Sequence, residues 1–157
     1  MSEIAVTTSQ GPAQGPARPI AATIAVVLRD DAVLLVRRAN PPDAGRWGFP
    51  GGKIEAGETI AQAATRELLE ETAVQAEAED VLTAVDAFDH DAAGALRQHF
   101  ILVAVLCRWT AGEPVAGDDA LEARWIAMTE LETADLALSF GVADVARQAV
   151  ARRAASV

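Results

Sequence analysis

Residues 98–109 (Q-H-F-I-L-V-A-V-L-C-R-W) hold an apolar run from Phe100 to Cys107 that never alternates with polar residues. A strand with one wet face alternates with a period of two, so a strand apolar on both sides must be covered on both. The rest of the chain offers the covers. Residues 59–73 read as a helix that opens on a capping box, Thr59 with Gln62, in which each side chain satisfies a free backbone N–H of the other residue. Residues 140–154 read as a closing helix with Val142, Val145, Ala146 and Ala149 on one side. A hairpin is expected from 21–28 and 32–37 about the polar turn Arg29-Asp30-Asp31, and further strands at 81–88 and 124–128. Thr129 with Glu132 is a second candidate capping box. Strands and helices mix without regular β-α alternation. The expected class is α+β, a sheet sandwiched between helices, and not a doubly wound nucleotide fold.

Length and charge narrow the function classes. The 157 residues fit one core of ordinary size. Residues 1–19 hold Pro12, Pro16 and Pro19 and few large apolar groups, so they are expected to form a flexible tail ahead of a domain at 20–157. Cys107 has no partner in the chain, which excludes a disulfide scaffold and fits a reducing, cytoplasmic setting. The longest apolar run falls far short of the roughly 20 residues that span a bilayer, and no basic segment leads into an apolar one at the start. Neither a membrane nor secretion is therefore expected. With 23 Asp and Glu against 13 Lys and Arg, a net charge of −10 argues against binding a nucleic acid polymer.

The acidity is concentrated at one informative place. On a helix over 59–73, Glu67, Glu70 and Glu71 stand at i, i+3 and i+4 and crowd one face. Like charges at that spacing cost a few tenths of a kcal/mol per pair, and a helix built only for stability would put a lysine among them. A divalent cation relieves the repulsion. Carboxylates without nearby Cys or His suit Mg²⁺ or Mn²⁺, and Gly51-Gly52 lets the backbone come close to a metal or a phosphate. The plain alternative for such a triplet is a solvated acidic face.

The surroundings decide between the two. Gly52, Glu58, Arg66, Glu67, Leu68, Glu70, Glu71 and Val74 fall on the pattern G-x5-E-x7-R-E-U-x-E-E-x-G-U, with U a bulky apolar residue. Six fixed identities match a given window by chance on the order of once in 10⁷. The stretch resembles the signature of the Nudix hydrolase superfamily, and the resemblance extends through R-W-G-F-P-G-G-K at 46–53 and E-A-R-W-I at 122–126. One position departs from it: Ala73 stands where the family has glycine, so the helix is expected to run further or to end in another geometry.

That resemblance implies a mixed central sheet between helices and metal-dependent hydrolysis of a nucleoside diphosphate linked to another moiety, by water attack at phosphorus. It implies Mg²⁺, with Mn²⁺ as the alternative, held by Glu67, Glu70, Glu71 and the Gly51 carbonyl. Glu67 is also a candidate general base, Glu58 a support of the motif loop, and Arg66 the ion-pair partner that fixes a glutamate. Asp118 and Asp119 are candidates for a loop base or extra ligand, ahead of Glu113 and Glu122. Arg38 and Lys53, with Arg46 beside them, are candidate substrate contacts; Trp47 would either stack on substrate or pack its own turn. His90 and His99 read as structural. Small ADP-ribose pyrophosphatases resemble the chain most, with (d)NTP pyrophosphohydrolases as the alternative and a nucleotide-binding module that does not hydrolyse as the remote one. Many relatives are dimers, and no residue here decides that question.

Overall fold

The computed structural model describes residues 18–41, 43–117, 119–133 and 135–156. The expected tail, up to residue 17, and Asp118 lie outside the described residues. The strands are β1 (Ile20–Arg29), β2 (Ala32–Arg38), β3 (Trp47–Gly48), β4 (Gly51–Lys53), β5 (Gln75–His90), β6 (Leu96–Ala111) and β7 (Ala120–Ala127). The helices are α1 (Ile60–Thr72), α2 (Met128–Thr133) and α3 (Val142–Ala155). The sheet runs β3-β2-β1-β6-β5, with β7 on β2 and β4 on β1. It is mixed: β1 and β6 are parallel, Ile20 opposite Phe100 through Leu28 opposite Arg108, and the other pairs are antiparallel.

Alternation along β1 builds two cores at once. Ala25 and Val27 face α1 with Leu34, Val105, Cys107, Ala64, Leu68 and Val74. Val26 and Leu28 face α2 and α3 with Val33, Leu35, Leu106, Ile126, Val142, Val145 and Ala149. The non-alternating run of β6 is thus explained, since Ala104 and Leu106 enter one core and Val105 and Cys107 the other. The expected apolar side of the closing helix is the buried one, although that helix begins at Val142 behind Gly141, and Phe140 is wholly exposed. The Thr129–Glu132 capping box does not form. Helix α2 starts earlier, and the Glu130 carboxylate accepts the Ala127 N–H instead.

The feature that positions the site is a fork. β1 and β2 pair only next to their turn, Leu28 with Val33 and Arg29 with Ala32. Beyond it they diverge, and residues 47–53 occupy the gap. Trp47 and Gly48 pair with Arg37 and Val36 of β2, whereas Gly51, Gly52 and Lys53 pair with Ile24, Thr23 and Ala22 of β1. Pro50 has no N–H to donate, but its carbonyl accepts the Ala25 N–H at 2.8 Å. The chain crosses from one prong to the other with its glycines against β1. A Cβ on Gly51 would stand 2.0 Å from the Thr23 carbonyl oxygen, which explains the glycine.

Candidate active site

Helix α1 carries the carboxylates, and its ends are built as the sequence indicates at one end and not at the other. Thr59 and Gln62 form the capping box, at 3.0 and 2.9 Å. At the far end Ala73 adopts the left-handed conformation (φ 63°, ψ 7°), and its N–H donates to the Leu69 carbonyl. The helix therefore stops where a glycine would stop it, and the expected change of geometry does not occur. Alanine bears the cost of that conformation, about 1–2 kcal/mol.

Arg66 is the hub of the acidic face. Its guanidinium holds Glu58 by two bonds, 2.5 and 2.9 Å, and reaches Glu67 at 3.0 Å, Glu70 at 3.2 Å and the Lys53 carbonyl at 3.1 Å. The fork geometry of arginine permits this; a lysine has no such planar set of donors. The Arg66 bonds, with the Glu55 N–H, hold Glu58 down at about 2, and the same contacts raise Arg66 still further. This arginine ties the loop after β4 to the helix.

Glu67 and Glu71 are the inward carboxylates. Glu67, its side chain 17% exposed, lies so close over Gly52 that a Cβ there would stand 2.5 Å from its carboxyl carbon. Burial raises its pKa against the pull of Arg66. Glu71 is pushed up to about 7, chiefly by burial and then by the charge of Glu67, with Asp119 adding to the same effect. The Arg38 charge and a hydrogen bond from the Gly51 N–H oppose it without offsetting it. Two carboxylates that resist ionisation next to each other mark a place short of positive charge.

An oxygen-only pair fits a hard divalent cation of the Mg²⁺ kind, which takes one or two carboxylates and fills its other positions with water or phosphate oxygens. Among the described residues no three Asp, Glu, His or Cys side chains converge on one point. Glu70, expected as a third ligand, is 60% exposed and turns to Arg66. The same Arg66 nitrogen holds Glu67, so Glu70 stands on the outer, solvent side of that shared contact.

The other expected residues divide clearly. Arg38 and Asp119 act on Glu71 from β2 and from the loop before β7. The Lys53 side chain is exposed, and its carbonyl serves Arg66. Arg46 donates to the Leu138 carbonyl at 3.0 Å. Trp47 is 5% exposed, sits in the core and lies under the Arg124 guanidinium at 4.9 Å, so packing is its use and stacking on substrate is not. Glu113 and Glu122 are bound to Arg29 and Arg37 at 2.7 and 2.9 Å. His99 bonds to Asp86 at 2.8 Å and stacks on Phe88, a structural use.

Sequence reasoning missed the chain after β6. Val115 and Gly117 donate their N–H groups to the Thr72 and Glu71 carbonyls at 2.8 and 2.7 Å, satisfying two carbonyls the helix end leaves free. The two glycines of A-G-E-P-V-A-G-D were the available signal, because both abut the end of α1.

Comparison with known proteins agrees with this geometry. The NUDIX domain profile matches residues 18–148. An ADP-ribose pyrophosphatase of Methanocaldococcus jannaschii is 34% identical over 113 residues, 72% of this chain and 64% of that protein. An oxidized purine nucleoside triphosphate hydrolase of Mus musculus is 48% identical over 50 residues, 32% of each chain. The chain thus spans less than two thirds of the length of these curated relatives. The crystal structure of a MutT NUDIX hydrolase from Burkholderia pseudomallei superposes with a TM-score of 0.70 at 29% identity, covering 83% of this chain and 98% of that one. With the fold, the motif residues and the profile in agreement over most of its length, the chain belongs to the NUDIX domain family.

Proposed function

We propose that the chain hydrolyses the diphosphate linkage of a nucleoside diphosphate derivative, ADP-ribose or a close relative, with a divalent cation held by Glu67 and Glu71. The observation that carries this reading is the convergence of those two half-buried carboxylates on the Gly51-Gly52 backbone, where both are raised by partial burial and Glu71 also by its neighbour's charge. Mg²⁺ bound there, or Mn²⁺, would neutralise phosphate charge and lower the pKa of a water. The protein's own part is positional, as phosphoryl transfer demands. Arg66 fixes the Glu67 carboxylate and locks the motif loop through Glu58. Arg38 brings positive charge to the same spot and is the best-placed phosphate contact; Lys53 is the next. The bare backbone of Gly52 lets the Glu67 carboxylate lie against it, where a side chain would displace it. Glu67 is the candidate base within the motif, and Asp119 the one outside it.

ADP-ribose is favoured because the relative bearing that activity aligns over most of the chain. Hydrolysis of (d)NTPs is the second reading, favoured by the 48% identity to the mouse enzyme over a shorter stretch. The lone cysteine, buried and unpaired, fits a reducing, cytoplasmic setting. No described helix is long and apolar enough to cross a membrane.

The test is a panel of ADP-ribose, NADH, nucleotide sugars, 8-oxo-dGTP and dinucleoside polyphosphates with Mg²⁺ or Mn²⁺. Release of AMP from ADP-ribose without pyrophosphate from dNTPs supports the first reading, and the reverse supports the second. Glu67→Gln and Glu71→Gln are expected to abolish turnover in a folded protein. Near-normal rates in either would remove that residue from the mechanism, and hydrolysis of nothing in the panel leaves a nucleotide-binding module.

A further inference from the structure

The register of β1 brings two unused groups to one spot. Thr23 is the one polar side chain between Ala22 and Leu28, and it is wholly buried. It stands on the side of β1 that carries Ala25 and Val27, and its neighbour on β6, Val103, packs into the same core, so it points at α1. Its hydroxyl has no hydrogen-bond partner among the described residues. Thr23 pairs with Gly52 across β1 and β4, and the two residues of an antiparallel pair turn their side chains to one face, with Cβ atoms about 5 Å apart. Gly52 has no side chain, and the Glu67 carboxylate takes its place: a Cβ there would stand 2.5 Å from Oε2 and 2.7 Å from Oε1. Arg66 holds Oε2 at 3.0 Å, and among the described residues nothing donates to Oε1.

We infer that Thr23 is a positioning residue for Glu67, its hydroxyl the donor for the carboxylate oxygen that Arg66 leaves free. The carboxylate sits in the cross-strand seat opposite Thr23, so rotation about a side-chain bond closes the contact. Bonds of this kind are often open in an unliganded enzyme and tighten in the working complex. With Arg66 on one oxygen and Thr23 on the other, the carboxylate is fixed at both and keeps lone pairs on each for a cation. A buried hydroxyl without a partner destabilises a fold, and valine has the shape of threonine without that cost. From Ala22 to Leu28 the strand is otherwise alanine, valine, isoleucine and leucine, so stability alone would place valine at 23. Buried beneath α1, Thr23 acts through Glu67 and not on the substrate.

The inference rests on the reading of Glu67 and Glu71 as the cation-binding pair, and two small substitutions test it apart from that reading. Thr23→Val removes the hydroxyl and keeps the shape, whereas Thr23→Ser keeps the hydroxyl and loses the methyl group. Each is compared with the unmodified protein by metal-free Tm, by Mn²⁺ affinity from calorimetry without substrate, and by kcat and KM for ADP-ribose with Mg²⁺. Thr23→Val is expected to raise Tm by about 2–4 °C. It is also expected to weaken Mn²⁺ binding and to lower kcat, each about tenfold, with KM changed by less than about threefold, because a hydrogen bond to a charged group is worth about that factor. Thr23→Ser is expected to lower Tm by about 2–4 °C and to keep Mn²⁺ affinity and kcat within about twofold. Stability and function thus rank the two variants in opposite orders, which a packing role would not do. A Thr23→Val protein with unchanged Mn²⁺ affinity and kcat overturns the inference and leaves the reading of the carboxylates standing. A Thr23→Ser protein that loses both as the valine variant does overturns it equally. If the unmodified protein binds Mn²⁺ and leaves ADP-ribose intact, only the substrate reading fails and the Mn²⁺ affinities decide the role of Thr23. If it binds no Mn²⁺, the reading of the carboxylates fails and the inference falls with it.

Discussion

Ala73→Gly should stabilise this protein, although glycine within a helix does the opposite. Ala73 ends α1 at φ 63°, a conformation that costs a residue with a Cβ about 1–2 kcal/mol. Glycine removes that cost and adds about 0.5–1 kcal/mol of unfolded-state entropy. The Ala73 side chain is exposed, so no burial is lost. The balance is a gain of about 0.5–1 kcal/mol, and for a chain of this size each kcal/mol moves Tm by about 2–4 °C. Urea unfolding and calorimetry measure it, with the m-value unchanged. The control is the same substitution at Ala151, exposed within α3, where it should cost about 1 kcal/mol. If Ala73→Gly proves neutral or destabilising while Ala151→Gly behaves as expected, the left-handed strain at 73 is not being paid in the native state and the reasoning fails. Turnover should stay within about twofold, because none of the charged side chains moves.

Three further outcomes follow from the site. Gly52→Ala places a methyl group 2.5 Å from the Glu67 carboxyl, and should lower metal-dependent turnover by about 100-fold at little cost in Tm; an active variant would show that Glu67 need not lie over the glycine. In the metal-free protein Glu71 titrates near 7 against an ordinary 4.5. The native state then binds more protons than the unfolded one across that window, so this contribution is full below the unfolded value and is lost as pH rises through the native one, by about 3 kcal/mol in all. Melting curves without metal should fall from about pH 5 to about pH 8, and Mg²⁺ should restore more at the higher pH; a flat metal-free profile would be evidence against a desolvated Glu71. Burial, aided by the charge of Glu79, pushes the Cys107 thiol up to about 12. It should resist a thiol reagent at neutral pH and react only on unfolding, and prompt native labelling would show that the core on the α1 side opens.

What could be read from the sequence was whatever is local. The capping box at Thr59, the placing of Glu67, Glu70 and Glu71 on one face, and the buried side of α3 all follow from spacing within a single element. The two-sided burial of β6 at Ala104–Cys107 followed from its lack of alternation, whereas Phe100–Val103 are only partly covered and Ile101 is exposed. What could not be read depends on elements far apart in the chain. Glu70 looks equivalent to its neighbours on a helical wheel, and only the packing of β4 over Glu67 leaves it the more exposed of the two, although Arg66 holds both. Trp47 could pack or stack until β2, Arg124 and the core enclosed it. Ala73 shows a different limit, since the expected change of geometry assumed that an unfavourable dihedral would be avoided. The capping of α1 by Val115 and Gly117 gives the chain a reason to keep that ending.

The fork has a consequence for how the site can vary. Residues 47–53 are hydrogen-bonded to both prongs, so the spread of β1 and β2 fixes where Gly51 and Gly52 lie. That spread is set by the side chains that fill the two cores, Val26, Val27, Val33 and Leu34 among them. The gap between the glycine backbone and the α1 carboxylates is therefore gauged by core volume, far from any charged group. A deleted methylene in β1 or β2, tolerable for stability in a packed interior, becomes a change in the width of the seat proposed for the cation. In this protein the buried valines act as the shims of the proposed cation site, and its tolerance to drift is the tolerance of its packing.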